Sequence, residues 1–597
     1  MTATIAVRRA IERMRSCSAR ALVSRAWMNI RVSRRTVAAF LIYAVLIAAV
    51  TPPIVAWYIR IAFYAFAVIV FWVVWGDRGV YQLQWQQRRR RVFVALAVFA
   101  AIFLVISRLL PFIRYGEAPL GYDTGFYLSS MDGSLNRILR GSGDRNFRAL
   151  IWVPLEWLKI PPILYLHALY VLSQLLIAGA IYFLAHTLAP RRCIEYAAAA
   201  VFLFAVSIPQ FFAYWWMFYQ TELAIAFLLL TIALLYRRSW FALLTGLLGV
   251  LLHPATFLPF LIALVIHVAV QLLWSLMRLR PLDRDTGFLL LLAVLVTTVV
   301  QSRVGDARAF YLVYVYGIIG EYGWLYTKYP EYLQQGFTGL YVNRTVVHLA
   351  DIYLLPFSVL GVLLFAFRRL RREDGVQFSR SSLLLIWMVV LAFLVAIPVV
   401  YQHRFLIYFD LVLILFAAYA FMRFLNTMQN DRVSVPVVLL LLVGFVLHGS
   451  LAVWDQRPQL YPDERTEIRA IATVAEESAY AMTTESVYTP WVSAFAGRPV
   501  IDPGFGSLNK WSYHLWREFW FGKSNARRHE LLAMYDRPLY IFTGRLVTNG
   551  EYIRFIQTDP SFERVSPHVW RYDPRAITSE DIEAMRLLER ADAGTPL

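Results

Sequence analysis

A chain of 597 residues in which 59% of the side chains are apolar and only 16% are charged has too little polar surface for a water-soluble fold of that size, so a soluble enzyme is excluded. The formal charge of +19 would suit a nucleic-acid binder, but the arginines stand in short blocks beside apolar runs, as they do in cytoplasmic membrane loops. Cys17 and Cys193, both next to basic segments, make no disulfide framework.

Residues 1–35 form a basic arm with no short apolar stretch and small-residue cleavage site, so they read as a cytoplasmic N-terminal arm rather than a cleavable signal. Two membrane helices follow within 36–91, near 36–57 and 59–76. Beyond them a transmembrane core, 92–454, carries apolar runs near 92–113, 161–188, 194–217, 219–236, 254–276, 285–302, 347–368, 381–400, 404–424 and 436–454. A run of about 19 apolar residues suffices to cross the hydrocarbon layer. Phe241–Leu252 is shorter and ends in His253-Pro254, the pattern of two helices meeting at a proline-marked bend. Counting it as a crossing gives about 13 transmembrane helices. It also keeps Arg88 to Arg91, Arg191-Arg192, Arg237-Arg238, Arg278 to Arg284, Arg368 to Arg372 and Arg423 on the side of the N-terminal arm, as the positive-inside rule requires.

On this topology the loops 114–160 and 303–346 and everything in 455–597 face the outside. The last segment changes character: charges of both signs, strand-like runs Pro538 to Thr543 and His568 to Tyr572, and helical patterns Asp463 to Glu477 and Asn525 to Met534. It reads as a small C-terminal α/β periplasmic domain. Asp502-Pro-Gly-Phe-Gly-Ser507 lacks the lysine and helix start of a phosphate loop and reads as a turn. The aromatic stretch Trp511 to Trp520, with His514 and Arg517, reads as packing of this domain onto the membrane part, or as an acceptor-facing patch.

The first outer loop opens with GEAPLGYDTGFY, residues Gly116 to Tyr127, directly after a membrane span. Ionisable groups that close to a bilayer are usually functional. Asp123 stands between Gly121 and Gly125, so a catalytic carboxylate and an ordinary Asp turn are the two readings. An amphipathic helix, Phe126 to Arg140, contains Asp132. A long first loop with an acid just past a helix exit, a multi-span core and an outer soluble domain resembles the GT-C superfamily of membrane glycosyltransferases. That superfamily includes the protein O-mannosyltransferases and the lipid A aminoarabinose transferases.

The resemblance implies a polyprenyl-phosphate sugar donor, a glycan, lipid or protein acceptor, a place in the bacterial inner membrane, and a catalytic role for Asp123. Transfer with inversion needs a base for the acceptor proton, and a carboxylate at the membrane surface can serve. Donor phosphate calls for cationic side chains at the outer helix ends. His403 and Arg404, in a tight turn between spans, are candidates, as are Arg344 and His348, one helical turn apart; headgroup snorkelling is the alternative for the first pair. Glu222, Tyr122, Asp132 and His253 are candidate sugar contacts, with His253 alternatively satisfying backbone at the Pro254 bend. No Asp-x-Asp occurs in the loop and the histidines lack partners at metal-ligand spacing, so no metal or other cofactor is expected. The competing reading is a transporter or flippase of a lipid-linked saccharide. Against it stand a lone broken helix pair, no evident internal repeat, and charges gathered at one surface rather than at the midplane.

Overall fold

The computed structural model describes residues 34–50, 57–75, 86–116, 121–131, 153–188, 193–211, 219–277, parts of 288–298, 354–371, 378–396, 402–428, 434–454, 456–503, 508, 510–511, 513–545 and 550–592. The apolar runs fold as helices: α1 (Arg34–Val50), α2 (Trp57–Trp75), α3 (Gln86–Tyr115), then α4 (Thr124–Met131) and α5 (Val153–Leu158) in the first loop. They continue with α6 (Pro162–Leu188), α7 (Cys193–Val206), α8 (Tyr219–Tyr236), α9 (Phe241–Leu252), α10 (Pro254–Met277), α11 (Leu355–Arg371), α12 (Phe378–Ala396), α13 (Gln402–Met428) and α14 (Ser434–Trp454). Among the described residues five helices are long and apolar enough to cross a membrane, and seven shorter apolar helices stand with them. Leu41, Val45, Ile61, Ile113, Leu276 and Leu440 project outward from this bundle. Such a surface would aggregate in water and is at home in hydrocarbon.

Helices that are apolar all round belong inside. Tyr196 to Val206 of α7 is buried without a break, and α13 is buried over nearly its whole length. The two are joined by the Tyr196 hydroxyl, which donates to the Leu415 carbonyl at 2.6 Å. At the periphery the Tyr43 hydroxyl reaches both the Ala67 and Pro356 carbonyls, at 3.1 and 3.3 Å, and so ties α1 to α2 and to the start of α11. The expected break between α9 and α10 is present: His253 is extended (φ −154°, ψ 92°) and α10 starts at Pro254. Proline fits a first helical turn because its missing N–H would have no partner there.

Residues 456–592 build a five-stranded sheet of order β2-β1-β3-β5-β4, with β1 (Tyr480–Thr483), β2 (Val500–Ile501), β3 (Leu539–Phe542), β4 (Phe562–Ser566) and β5 (Val569–Tyr572). The first three are mutually parallel; β5 runs antiparallel to β3 and pairs with β4 in a hairpin. The helices around it are α15 (Pro462–Val474), α16 (Thr489–Phe495), α17 (Tyr513–Phe521), α18 (Asn525–Ala533), α19 (Glu551–Thr558) and α20 (Ser579–Asp592). Side chains alternate between two faces, as a pleated strand dictates. Met482, Leu539, Ile541, Trp570 and Tyr572 pack with α17 to α19 on one face. Ala481, Tyr540, Phe542 and Val569 pack with Ile468 and Ile471 of α15 and Trp491 and Val492 of α16 on the other. Trp511, Trp516 and Trp520 lie in the first of these cores, with Trp511 and Trp516 rings 4.6 Å apart. Among the described residues these three tryptophans therefore pack within the α/β unit.

Just past β1, burial pushes the Glu485 carboxyl up to about 8 from an ordinary 4.5, with the Tyr552 hydroxyl donating to it. The folded form thus keeps a proton, between about 4.5 and about 8, that the unfolded chain has released. Stability from this group is complete below that window and is lost as pH rises through it. The midpoint of thermal unfolding of the α/β unit in the full-length protein is expected to fall across the window. Glu485→Gln should flatten that part of the curve, and an unchanged slope would count against the assignment.

Candidate active site

Gly121, at φ 99°, occupies the left-handed region where a side chain would be strained, and the chain turns there into Tyr122 and Asp123. The Asp123 carbonyl accepts the Tyr127 amide at 3.0 Å, which makes Asp123 the residue at the entry to α4. It is half-buried. The positive end of the α4 backbone stabilises negative charge at that position. Tyr122 turns inward, buried in the main apolar cluster with its ring edge-on to Phe126 at 6.2 Å. The helix expected over 126–140 starts at Thr124 and is described as far as Met131. Asp132 lies outside the described residues, as do Arg344 and His348.

Beneath α4 lies a polar cluster in the bundle interior. Tyr219, the first residue of α8, meets the ring of Tyr127 at 5.0 Å, edge to face. Glu222, one turn further along α8 and 1% exposed, accepts from the Ser173 hydroxyl of α6. Arg108 of α3, also 1% exposed, donates from Nε to Gln174 Oε1 at 3.3 Å, and from Nη1 to the Ser107 hydroxyl at 3.2 Å and the Ala205 carbonyl at 3.4 Å. Its guanidinium lies 4.0 Å from the centre of the Phe211 ring. Three helices thereby meet at one arginine, and an interior cation of this kind is retained only where its hydrogen bonds and electrostatics compensate for lost hydration.

A second polar group lies along α13. Asp410 Oδ2 accepts from the Ser207 hydroxyl at 2.7 Å and from Gln210 Nε2 at 2.6 Å. Tyr408 shares a hydrogen bond with the Thr256 hydroxyl at 3.1 Å, and Thr256 in turn pairs with His253 Nδ1 at 2.7 Å. His253 is thus joined by its side chain to Thr256 at the α9–α10 break. His403 and Arg404 sit in the first turn of the same α13. Arg114 Nη1 donates to the Trp454 carbonyl at 2.5 Å and its guanidinium lies 4.0 Å from the Trp454 ring centre, joining the end of α3 to the end of α14. No cluster of three or more His, Cys, Asp or Glu side chains gathers among the described residues.

Sequence reading alone passed over Arg108 and Asp410. Each was visible as an ionisable residue inside an apolar run, which by itself marks a candidate.

No family model matches the chain, and no curated protein sequence does. Solved structures do. The oligosaccharyltransferase of Archaeoglobus fulgidus, in complex with Zn and sulfate, is matched with a TM-score of 0.52 at 15% identity, over 75% of this chain and 68% of that one. ArnT from Cupriavidus metallidurans is matched bound to undecaprenyl phosphate (TM-score 0.45, 12% identity, 80% of this chain and 97% of that one) and in the apo state (0.44, 13%, 82% and 98%). The mostly helical bundle of this chain has a GT-C-like fold, shared with that oligosaccharyltransferase as a fold alone.

Proposed function

We propose that this protein is an integral membrane glycosyltransferase that moves a sugar from a polyprenyl-phosphate-linked donor to a glycan, lipid or protein acceptor on the periplasmic or extracellular face. The observation that carries the reading is the place of Asp123: a half-buried carboxylate at the entry to α4, between the helical bundle and the α/β unit. An acceptor hydroxyl or amine attacks the anomeric carbon from the face opposite the phosphate. The bond from that carbon to the phosphate oxygen breaks, polyprenyl phosphate leaves with the electron pair, and Asp123 takes the acceptor's proton. The product is inverted.

His403 and Arg404, at the start of α13, suit the donor phosphate, because a helix N-terminus favours an anion and both residue types can carry positive charge. Arg344 and His348 are the second pair proposed for it. Among the sugar contacts His253 is half-buried and has surface left to offer, whereas Tyr122 and Glu222 are buried.

Proteoliposomes holding donor labelled in the sugar test the reading. Transfer predicts label on the acceptor together with free polyprenyl phosphate. A flippase would carry label across the bilayer with the sugar–phosphate bond intact, and that result would overturn the proposal. With no Asp-x-Asp in the loop, we further expect transfer to persist in a chelator; loss of activity restored by a divalent cation would show the metal-free reading to be wrong.

A further inference from the structure

At Gly125 the membrane loop and the α/β unit touch backbone to backbone. Gly125 is in the right-handed helical conformation of α4, so glycine is not needed there for its dihedral freedom. What the position lacks is room: a Cβ would overlap the Pro490 carbonyl group and the Trp491 nitrogen of α16. That backbone has little freedom to yield, since Trp491 and Val492 are wholly buried in the sheet core beside Phe542.

One turn further along α4, Leu128 packs both into that core and into the bundle cluster containing Tyr219, Tyr170 and Leu166. From the bundle side, Tyr127 rests edge to face on Tyr219. Val487, just ahead of α16, likewise packs against both the sheet core and the main bundle core. Helix α4 is therefore held from two sides, and Asp123 immediately precedes it.

We infer that the α/β unit is a working part of the transfer centre: α16 fixes α4, and with it the Asp123 carboxylate, against the bundle. Gly125 and Leu128 are the positioning residues. This rests on Asp123 being the base, and it assigns the C-terminal unit a role in the chemical step.

The test uses the full-length protein in lipid nanodiscs. Gly125→Ala installs a better helix former, so α4 alone would gain from the change and any loss reports the contact with α16. We expect kcat to fall about 10²-fold, the cost of a misplacement on the scale of an ångström, with the donor KM unchanged. Amide exchange in 121–131 should accelerate while that of α8 and α15 stays put. Leu128→Ala removes atoms instead of inserting them and should lower kcat about tenfold in the same pattern, which keeps the inference testable if the alanine at 125 impairs folding.

Wild-type kcat and exchange in both variants would overturn it. So would accelerated exchange throughout 456–592, which would mean the contact merely stabilises the unit. Inactivity of Asp123→Asn beside fully active Gly125→Ala and Leu128→Ala removes the clamp and leaves the base standing. A fully active Asp123→Asn removes the base, and with it any role of the clamp in transfer.

Discussion

Asp123→Asn is expected to lower the rate of sugar transfer by about 10²–10⁴-fold, the contribution of a well-placed general base, with the donor KM unchanged. Asparagine has nearly the shape of aspartate and serves equally well at a helix entry, so α4 should form as before. What it cannot do is accept the acceptor's proton. Asp123→Ala should be as inactive and in addition cost about 1 kcal/mol of local stability through the lost helix-entry oxygen. Comparing the two separates chemistry from folding. Single-turnover transfer with purified protein is the measurement, and an Asn variant running at the wild-type rate would end the base assignment.

Much of the helical layout was legible because several apolar runs are closed by their own punctuation; the run read as one span over 194–217 is not continuous, since α7 ends at Val206. The run 219–236 is α8 to the residue, and Pro254 divides α9 from α10 where the bend was expected. The strand patterns at 538–543 and 568–572 became β3 and β5, since alternation and flanking turns are local signals. The candidate site was legible only in part. Asp123 stood out by its place after a span, but the reason for Gly125 did not: it reads as turn chemistry, while its neighbour in space is Pro490, which no local pattern could reveal. The same holds for Arg108 and Gln174, 66 residues apart, which meet because α3 and α6 pack together. Sequence can flag an interior cation, but finding its partners takes the packing.

Those partners set the second large effect. Arg108→Met keeps the length and bulk of the side chain and removes its charge and donors, leaving Gln174 Oε1 in the interior without the guanidinium that donates to it. Leaving a buried acceptor without its donor costs about 1–3 kcal/mol. Arg108→Lys should not restore it, because a single ammonium cannot reach Gln174, Ser107 and the Ala205 carbonyl with the geometry of a planar fork. Glu222→Gln, which still offers an oxygen to Ser173, should cost only about 1 kcal/mol. If the cluster acts as one unit, the double variant Arg108→Met/Glu222→Gln will lose less than the sum of the singles, by about 0.5–3 kcal/mol. Denaturant unfolding in detergent micelles measures this cycle, and strict additivity would mean that Arg108 and Glu222 do not communicate. Because Glu222 lies one turn from Tyr219, on which Tyr127 rests, loss of Arg108 should also depress transfer in protein that remains folded. The cation in the bundle then acts on the carboxylate above it through the packing of α8 against α4.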